Sequence, residues 1–423
     1  MSKTITTTLE KICLQEKGAI ISGPFGSNIS SRFFVTEGIP VIRGNNLSLS
    51  YDKFYDSGFV FVTKEKADEL KCYAYRDDLI FTAAGTIGQV GIIPRNSLYE
   101  EYVISNKQIR ARIDTRKVDL LYAYYWFSSP WIREILLRSN KGSTVPLLTL
   151  NEVKELPIVY PESLSEQRKI ANCIELISSK IEVNRKINDN LQQQLKLMYD
   201  YWFTQFDFPD ENGKPYRSSG GAMVWNEQLK RNIPVNWKAD NLYAVADYVN
   251  GLACQNYRPD DDNQKLPVIK ITEMHNGITD STEFVRDDIP EKYIIENGDI
   301  LFSWSATLET MLWYGGRGGL NQHIFKVVPK APKYFAYSQL SSYIINFKAI
   351  AEARKTTMGH ITTDHMEQSR IAIPPTIVQD AFNRQVTPLY EQIANNCKES
   401  LRLQALRDWL LPMLMNGQAT VSD

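Results

Sequence analysis

The sequence predicts an α+β protein: two β-rich halves in internal repeat, each followed by one long helix of coiled-coil type. Three observations predict it. Four short segments recur in the same order along the chain, both halves break into short β-type runs between turn residues, and two apolar seams of identical spacing lie 212 residues apart.

The recurring segments come first. IPVIRGNN at 39–46 parallels LPVIKITE at 266–273, an offset of 227. RDDLIFTAAGT at 76–86 parallels NGDILFSWSAT at 297–307, an offset of 221. SNKQIRARI at 105–113 is aligned with LNQHIFKVV at 320–328, an offset of 215, and Thr149 with Thr362, an offset of 213. A falling offset in fixed order describes two copies of one unit with small deletions in the second. Within each copy, runs such as PVIR, DLIF and QIRARI, then LPVIK, DILF and HIFKVV, have strand composition and are separated by Gly/Asn/Asp/Ser turns.

The helices follow proline-marked openings at Pro161 and Pro374-Pro375. Positions 170, 174, 177, 181, 184, 188, 191, 195, 198 and 202 read Ile, Ile, Ile, Ile, Asn, Asn, Leu, Leu, Met, Trp. The same positions raised by 212 read Phe, Val, Leu, Ile, Asn, Ser, Leu, Arg, Leu, Leu. A 4-3 spacing sustained over more than four heptads is a coiled-coil seam. Asn184 and Asn396 interrupt both seams at one position, as residues that set register between paired helices. The other reading is two amphipathic helices, each packed on its own half. The domain plan is therefore a β-rich domain over 1–161, a helix over 162–203, a connector over 204–236, a second β-rich domain over 237–375, a helix over 376–415 and a tail over 416–423.

Composition bounds the chemistry. The 423 residues are 43 % hydrophobic and 23 % charged with net charge −1, so any nucleic-acid-binding face would have to be a local patch. The stretch Lys107–Lys117, with Arg110, Arg112 and Arg116, is one candidate and reads equally as a solvated surface. Cysteines 13, 72, 173, 254 and 397 lack paired-ligand spacing, which fits reduced thiols in a cytoplasmic protein. No secretory leader or membrane span is read, and the four histidines do not form a metal set. No phosphate-binding loop, dinucleotide fingerprint or Asn/Asp-Pro-Pro-aromatic methyltransferase tetrapeptide occurs, so no catalytic site is expected.

Several landmarks then resemble one family along nearly the whole chain: GPFGS at 23–27, GIPVIR at 38–43, DLIFTAAGTIG at 78–88, TVPLLTLNEVKELPIVYP at 144–161, SEQRKIA at 165–171, YWFTQFDFPDENGKPYRSSGGAMVW at 201–225 and LRDWLLPMLMNGQ at 406–418. The family is that of the specificity subunits of type I restriction–modification systems. The second copy departs from its pattern at Thr357-Met358-Gly359 and Val378-Gln379-Asp380. The resemblance implies two target-recognition domains about a pseudo-twofold axis, held apart by antiparallel spacer helices, each reading half of a bipartite double-stranded DNA site. It also implies two methylation subunits as partners, with restriction subunits in some assemblies. S-adenosylmethionine would belong to the former and ATP with Mg²⁺ to the latter, leaving this chain non-catalytic and without a cofactor.

On that reading, candidate DNA contacts cluster at matched places. Arg43, Asn45 and Asn46 follow the first PVIR strand, and Lys270, Thr272 and Glu273 its second copy. They carry the forked or paired donors and acceptors that base edges require. Arg43 and Lys270 read equally as salt-bridged scaffold. Ser22, Gly23, Phe25, Gly26 and Ser27, then Thr82, Gly85 and Thr86, form turns where backbone can approach a duplex or simply turn. Ser303, Trp304, Ser305 and Thr307 are the second-copy equivalents of the latter, with Trp304 either core or a wedge against DNA. Asn106, Lys107 and Gln108 are matched with Asn321, Gln322 and His323. Lys141, Ser143 and Thr144, and Arg354, Lys355 and Thr356, place cations beside hydroxyls as phosphates require.

Overall fold

The apolar runs of the first half become ten short strands: β1 (Thr4–Thr8), β2 (Ile20–Ser22), β3 (Ile39–Ile42), β4 (Val60–Val62), β5 (Tyr73–Ala74), β6 (Leu79–Thr82), β7 (Val90–Ile92), β8 (Tyr102–Ile104), β9 (Gln108–Ala111) and β10 (Pro157–Pro161). They come from a computed structural model that describes residues 3–138, 147–260, 264–279, 281–353 and 361–421. Contacts divide the chain into two units, Met1–Val183 with Arg402–Asp423, and Asn184–Leu401. In the first unit β1 pairs with β10, and two four-stranded sheets run in the orders β2-β9-β6-β7 and β4-β3-β8-β5. Strands β3 and β8 are parallel, with Val41 opposite Val103 and Ile42 opposite Ile104. Both of these strands are almost wholly buried, as parallel strands demand.

The second unit adds a hairpin of β11 (Met223–Asn226) and β12 (Arg231–Pro234), then β13 (Lys238–Asp240), β14 (Ala246–Asn250), β15 (Lys265–Ile269), β16 (Phe284–Arg286), β17 (Ile294–Ile295), β18 (Ile300–Ser303), β19 (Glu309–Leu312), β20 (Gly318–Leu320), β21 (Ile324–Pro329) and β22 (Ile371–Ile373). Its sheets run β13-β22, β14-β21-β18-β19 and β16-β15-β20-β17, which is the first unit's topology with every index raised by twelve. The repeat predicted from four sequence matches is thus a repeat of whole topology.

Backbone bonds correct one of those matches. Ser105 N donates to Ile42 O and Asn321 N to Ile269 O, each at about 3 Å. Gln108 O accepts from Gly23 N at 2.8 Å, and Ile324 O from Gly251 N at 3.0 Å. Ser105 therefore corresponds to Asn321 and Gln108 to Ile324, an offset of 216. Asn106 matches Gln322 and Lys107 matches His323, one residue away from the alignment read off the sequence. A slip of one flips side chains between faces, so hydrogen bonding decides what composition left ambiguous. Thr149 and Thr362 do correspond: each is the N-cap of a short helix in a capping box, with Glu152 and His365 respectively.

An ion pair repeats as well, buried in the first unit and half-buried in the second. Arg110 and Asp78 lie 3.7 Å apart, 3 % and 4 % exposed, and the equivalent Lys326 and Asp299 are 2.8 Å apart. Burial pushes the Asp78 carboxyl above the usual carboxylate range, against the pull of Arg110. Arg112 also bonds Asp78, and Arg116 bonds Asp114. The arginines of the basic stretch 107–117 are therefore paired within the protein and do not form a run of free cations.

Three features differ from the sequence expectation. Each β-rich half contains helix: Leu120–Phe127 and Pro130–Arg138 in the first, and an unbroken Lys333–Ala353 in the second. Asp119 caps the first of these through Leu121 N and Tyr122 N, and Pro130, lacking an amide hydrogen, starts the next. The connector 204–236 is structured: Phe206, Phe208 and Ile233 are buried with Trp237 in the second unit's core, Phe206 and Trp237 having ring centroids 5.2 Å apart. Neither compact unit ends at 161 or 375.

The first long helix runs Leu164–Tyr199 and continues as a π turn over Asp200–Thr204, and the second runs Thr376–Met415. Each opens beside a carbonyl held by a buried glutamine: Gln167 donates to Pro161 O and Gln379 to Pro374 O, both at 2.8 Å. Every predicted seam position is buried or half-buried in both helices. The seam has two kinds of partner. In the first unit Ile170, Ala171 and Ile174 share a core with Leu411, Leu414 and Met415 and with Tyr122, Leu156 and Ile158 of the β-rich part. In the second, Leu195 and Tyr199 share one with Phe382, Val386, Tyr390 and Ile393, and with Phe335. Helix pairing and packing on a β-rich half, alternatives in the sequence, are both present.

Asn184 and Asn396, expected as register residues to face each other or nearly so, lie one helical turn out of step. Asn184 Nδ2 donates to Glu399 Oε2 at 2.7 Å and Ser400 Oγ at 3.3 Å, while Asn396 Nδ2 donates to Asn188 Oδ1 at 2.8 Å. Facing numbers fall on one helix as they rise on the other, so the helices run antiparallel here, and position 184 meets 400 while 188 meets 396. Replacing Asn396 alone by Leu strands Asn188 and should cost roughly 1–3 kcal/mol. The pair Asn188→Leu with Asn396→Leu should recover that loss. Thermal melts of both singles and the double variant check this; simple additivity would refute the pairing.

Candidate nucleic-acid interface

The turn joining β8 to β9 builds the candidate site of the first unit. Its ends are fixed by the bonds of Ser105 and Gln108 already described, closed by Gln108 N donating to Ser105 O at 3.1 Å. What remains at the tip is Asn106 and Lys107, both exposed. Lys107 O in turn accepts from Ala83 N at 2.7 Å, which brings the end of β6 and the following Gly85-Thr86 turn alongside. Gly85 has φ +90° with nothing near its Cβ position, a left-handed exposed turn that suits glycine.

These elements enclose a cleft of about 360 Å³ lined by Arg43, Asn45, Thr82, Gly85, Thr86, Asn106, Lys107 and Gln108, with Ile29, Phe34 and Val41 among the apolar groups. Eight predicted contact residues thus meet in one concavity. They divide by burial. Asn45, Gly85, Thr86, Asn106 and Lys107 are exposed and Arg43 is half-exposed. Arg43 Nη2 and Asn45 Nδ2 both point at Gly58 O, at 3.4 and 3.2 Å, and Arg43 makes no ion pair among the described residues.

The others are internal. Asn46 is fully buried: its Oδ1 accepts from Arg43 N at 3.0 Å, and its Nδ2 donates to Tyr55 O and Ser57 O. Thr82 is 2 % exposed and donates to Gln89 Oε1, while Gln89 Nε2 holds Gly44 O and Leu47 O. Gln108 is 1 % exposed and bonds Ser105 Oγ. Thr82 and Gln108 line the cleft while Asn46 lies inside the protein, and none of the three side chains is available to base edges, a correction to the sequence reading. The segment after Asn46 is tied to the first long helix by Lys53 Nζ, which meets Glu175 Oε1, while Tyr125 Oη, from the helix Leu120–Phe127, donates to Glu175 Oε2 at 2.8 Å.

The GPFGS loop sits against the same turn. A Cβ on Gly23 would lie 1.8 Å from Ser105 O, so only glycine permits this approach. Ser22, Phe25, Gly26 and Ser27 are exposed.

The second unit repeats the layout with other side chains. Glu273 replaces Asn46, is equally buried, and accepts from Lys270 N at 3.1 Å and Thr282 Oγ1 at 3.1 Å. It is a cap, so it does not read cytosine. Ser303 and Ser305 are buried too. Lys270 pairs with Glu283 at 3.4 Å, its scaffold alternative. The exposed or half-exposed set is Thr272, Thr307, Asn321, Gln322 and His323. Trp304 packs on the core, 5.7 Å from the His323 ring, and donates to Asn250 Oδ1 at 3.2 Å: a fixed wall in place of Ala83. Lys141, Ser143, Thr144, Arg354, Lys355 and Thr356 lie outside the described residues.

Comparison with known proteins adds the following. A family model described as the type I restriction modification DNA specificity domain matches residues 26–193 and again 234–403. The chain is 26 % identical over 408 residues to the type I restriction enzyme MjaIX specificity subunit of Methanocaldococcus jannaschii, covering 91 % of this chain and 88 % of that one. It is 22 % identical over 340 residues to the HindI specificity subunit of Haemophilus influenzae, covering 67 % and 73 %. A crystal structure of the type I restriction–modification S subunit from M. genitalium superposes with TM-score 0.55 at 14 % identity, over 98 % and 96 % of the two chains, a likeness of fold.

The division by burial is testable. Asn46→Ala removes three internal bonds and should lower stability by roughly 1–3 kcal/mol, whereas Asn45→Ala should leave it within about 0.5 kcal/mol. Equal effects in thermal melts would contradict the assignment of one to the scaffold and the other to the surface.

Proposed function

This chain belongs to the type I restriction–modification DNA specificity family, and we infer from the turn repeated in its two units how it serves as the specificity subunit. It has two recognition domains, and each reads one part of a bipartite double-stranded target. The observation that carries this reading is that one backbone frame, bond for bond, presents Asn106 and Lys107 in the first repeat and Gln322 and His323 in the second. Frames that are alike and tips that differ suit two unlike half-sites.

Base edges in the major groove are met by forked or paired donors and acceptors. Asn45 and Asn106 offer an amide to adenine, and Arg43 offers a fork to guanine once it leaves Gly58 O. In the second repeat Gln322, His323 and Thr272 take these places. Lys107 and the exposed amides around Gly85 and Gly26, with the hydroxyls of Ser22, Ser27, Thr86 and Thr307, suit phosphates, which fix position without reading sequence.

Methyl transfer belongs to two methylation subunits carrying S-adenosylmethionine, and cleavage to restriction subunits using ATP and Mg²⁺ where these join. The chain itself supplies recognition alone and works in the cytoplasm. Among the described residues no helix is long and apolar enough to cross a membrane.

With the methylation subunits added, Asn106→Ala should relax one base position of one half-site, at a cost of roughly 1–3 kcal/mol. Lys107→Ala should weaken binding to all sequences and flatten the salt dependence by about one phosphate contact. Titrations at several salt concentrations distinguish them; a change in both half-sites from Asn106→Ala would contradict independent reading. The purified chain alone should transfer no methyl group from S-adenosylmethionine to DNA, and turnover by homogeneous chain would overturn its place as a recognition subunit.

A further inference from the structure

Phe25 is 84 % exposed, more than any other large apolar side chain among the described residues. Its mount is nonetheless rigid. Pro24 precedes it, Gly23 N is bonded to Gln108 O at 2.8 Å, and Phe25 O accepts from Asn28 N at 2.8 Å. The turn Gly26–Ile29 follows, ending on Ile29, which is buried in the core. The ring is therefore held out on a fixed base, without the conformational cost of ordering a loose loop.

The place of that base matters. A Cβ on Gly26 would stand 3.0 Å from Asn106 Nδ2, so the loop abuts the turn that carries Asn106 and Lys107. Arg32 donates to Ser27 O at 3.3 Å and adds positive charge to the same loop. An aromatic ring beside an amide and cations matches a nucleobase, which offers a π-face to the ring and polar edges to the amide.

The second repeat shows that the fold does not require the ring. Gly251 is bound like Gly23, its N to Ile324 O at 3.0 Å and its Cβ position 2.1 Å from Asn321 O. The residues after it are Leu252 and Ala253, without a ring. The mount is common to both repeats and the phenyl is particular to the first.

We propose that Phe25 stacks on an unstacked base of the first half-site, as a wedge beside the groups that read base edges. This rests on the reading of the first cleft as a DNA interface. Base–aromatic stacking of the usual strength corresponds to roughly 5- to 150-fold in affinity.

The test uses the chain assembled with its methylation subunits and duplexes of the target read from the host methylome. 2-Aminopurine is placed in turn at each adenine of the first half-site and of its complement. The parent assembly should raise the fluorescence at one position, the sign of an unstacked base. Phe25→Ala should abolish that rise and weaken binding at least fivefold, with the second half-site still required. Phe25→Trp should restore both. Three results overturn the wedge while leaving DNA recognition standing: affinity of Phe25→Ala within twofold of the parent, an unchanged fluorescence rise, or loss of the methylation subunits from the Phe25→Ala assembly, which would make Phe25 a protein contact. An assembly whose parent form shows no sequence-selective binding at all would remove the cleft reading itself, and the wedge with it.

Discussion

In each repeat a four-residue turn, Ser105–Gln108 or Asn321–Ile324, is bonded at both ends to other strands: Ser105 N to the end of β3, and Gln108 O to the glycine after β2. The turn thereby ties two four-stranded sheets together and leaves two side chains projecting. Without it β8 would have no fixed relation to β9, and Asn106, the GPFGS loop and the Gly85 turn would not meet. Gly23 and Gly251 are the price of this closeness, since a Cβ at either would overlap a carbonyl oxygen by more than an ångström.

Much of the fold was legible in the sequence because the repeat carries its own check. Strands such as Leu79–Thr82 and Ile300–Ser303 share apolar composition and an offset, and both seams keep a 4-3 spacing that only helices explain. The helices inside the β-rich halves were harder to see. LLYAYYWF at 120–127 is apolar on every side, so it has no periodicity to distinguish helix from strand, and its cap, Asp119, is a single residue. The hairpin of β11 and β12 sits among Pro, Gly and Ser that read as linker, yet Phe206, Phe208 and Trp237 pin the segment down.

The site was legible in outline and wrong in detail for a physical reason. Asn46 and Glu273 are polar residues four positions after the strand's last residue, where either a base or a helix N-terminus wants an acceptor. Sequence shows the acceptor and not its direction; only burial and the bond from the Arg43 or Lys270 amide show that it points inward. The one-residue slip at 321–323 has the same origin. Both offsets align apolar with apolar, and hydrogen bonds choose between them. The seam asparagines were placed correctly in their helices, but a matching register in the repeat is not a facing position in an antiparallel pair.

The bonds that hold the turn in place come from main-chain groups, and the length differences between the copies fall outside the strands. From β2 to the long helix the offset drops from 228 to 212, so sixteen residues vanish from the second copy while every ladder stays intact. Because a peptide group is the same in every residue, the identity of the tip residues is nearly decoupled from folding free energy. Such a frame can drift in what it recognises without passing through unfolded ancestors, and its two copies can diverge at different speeds within one gene.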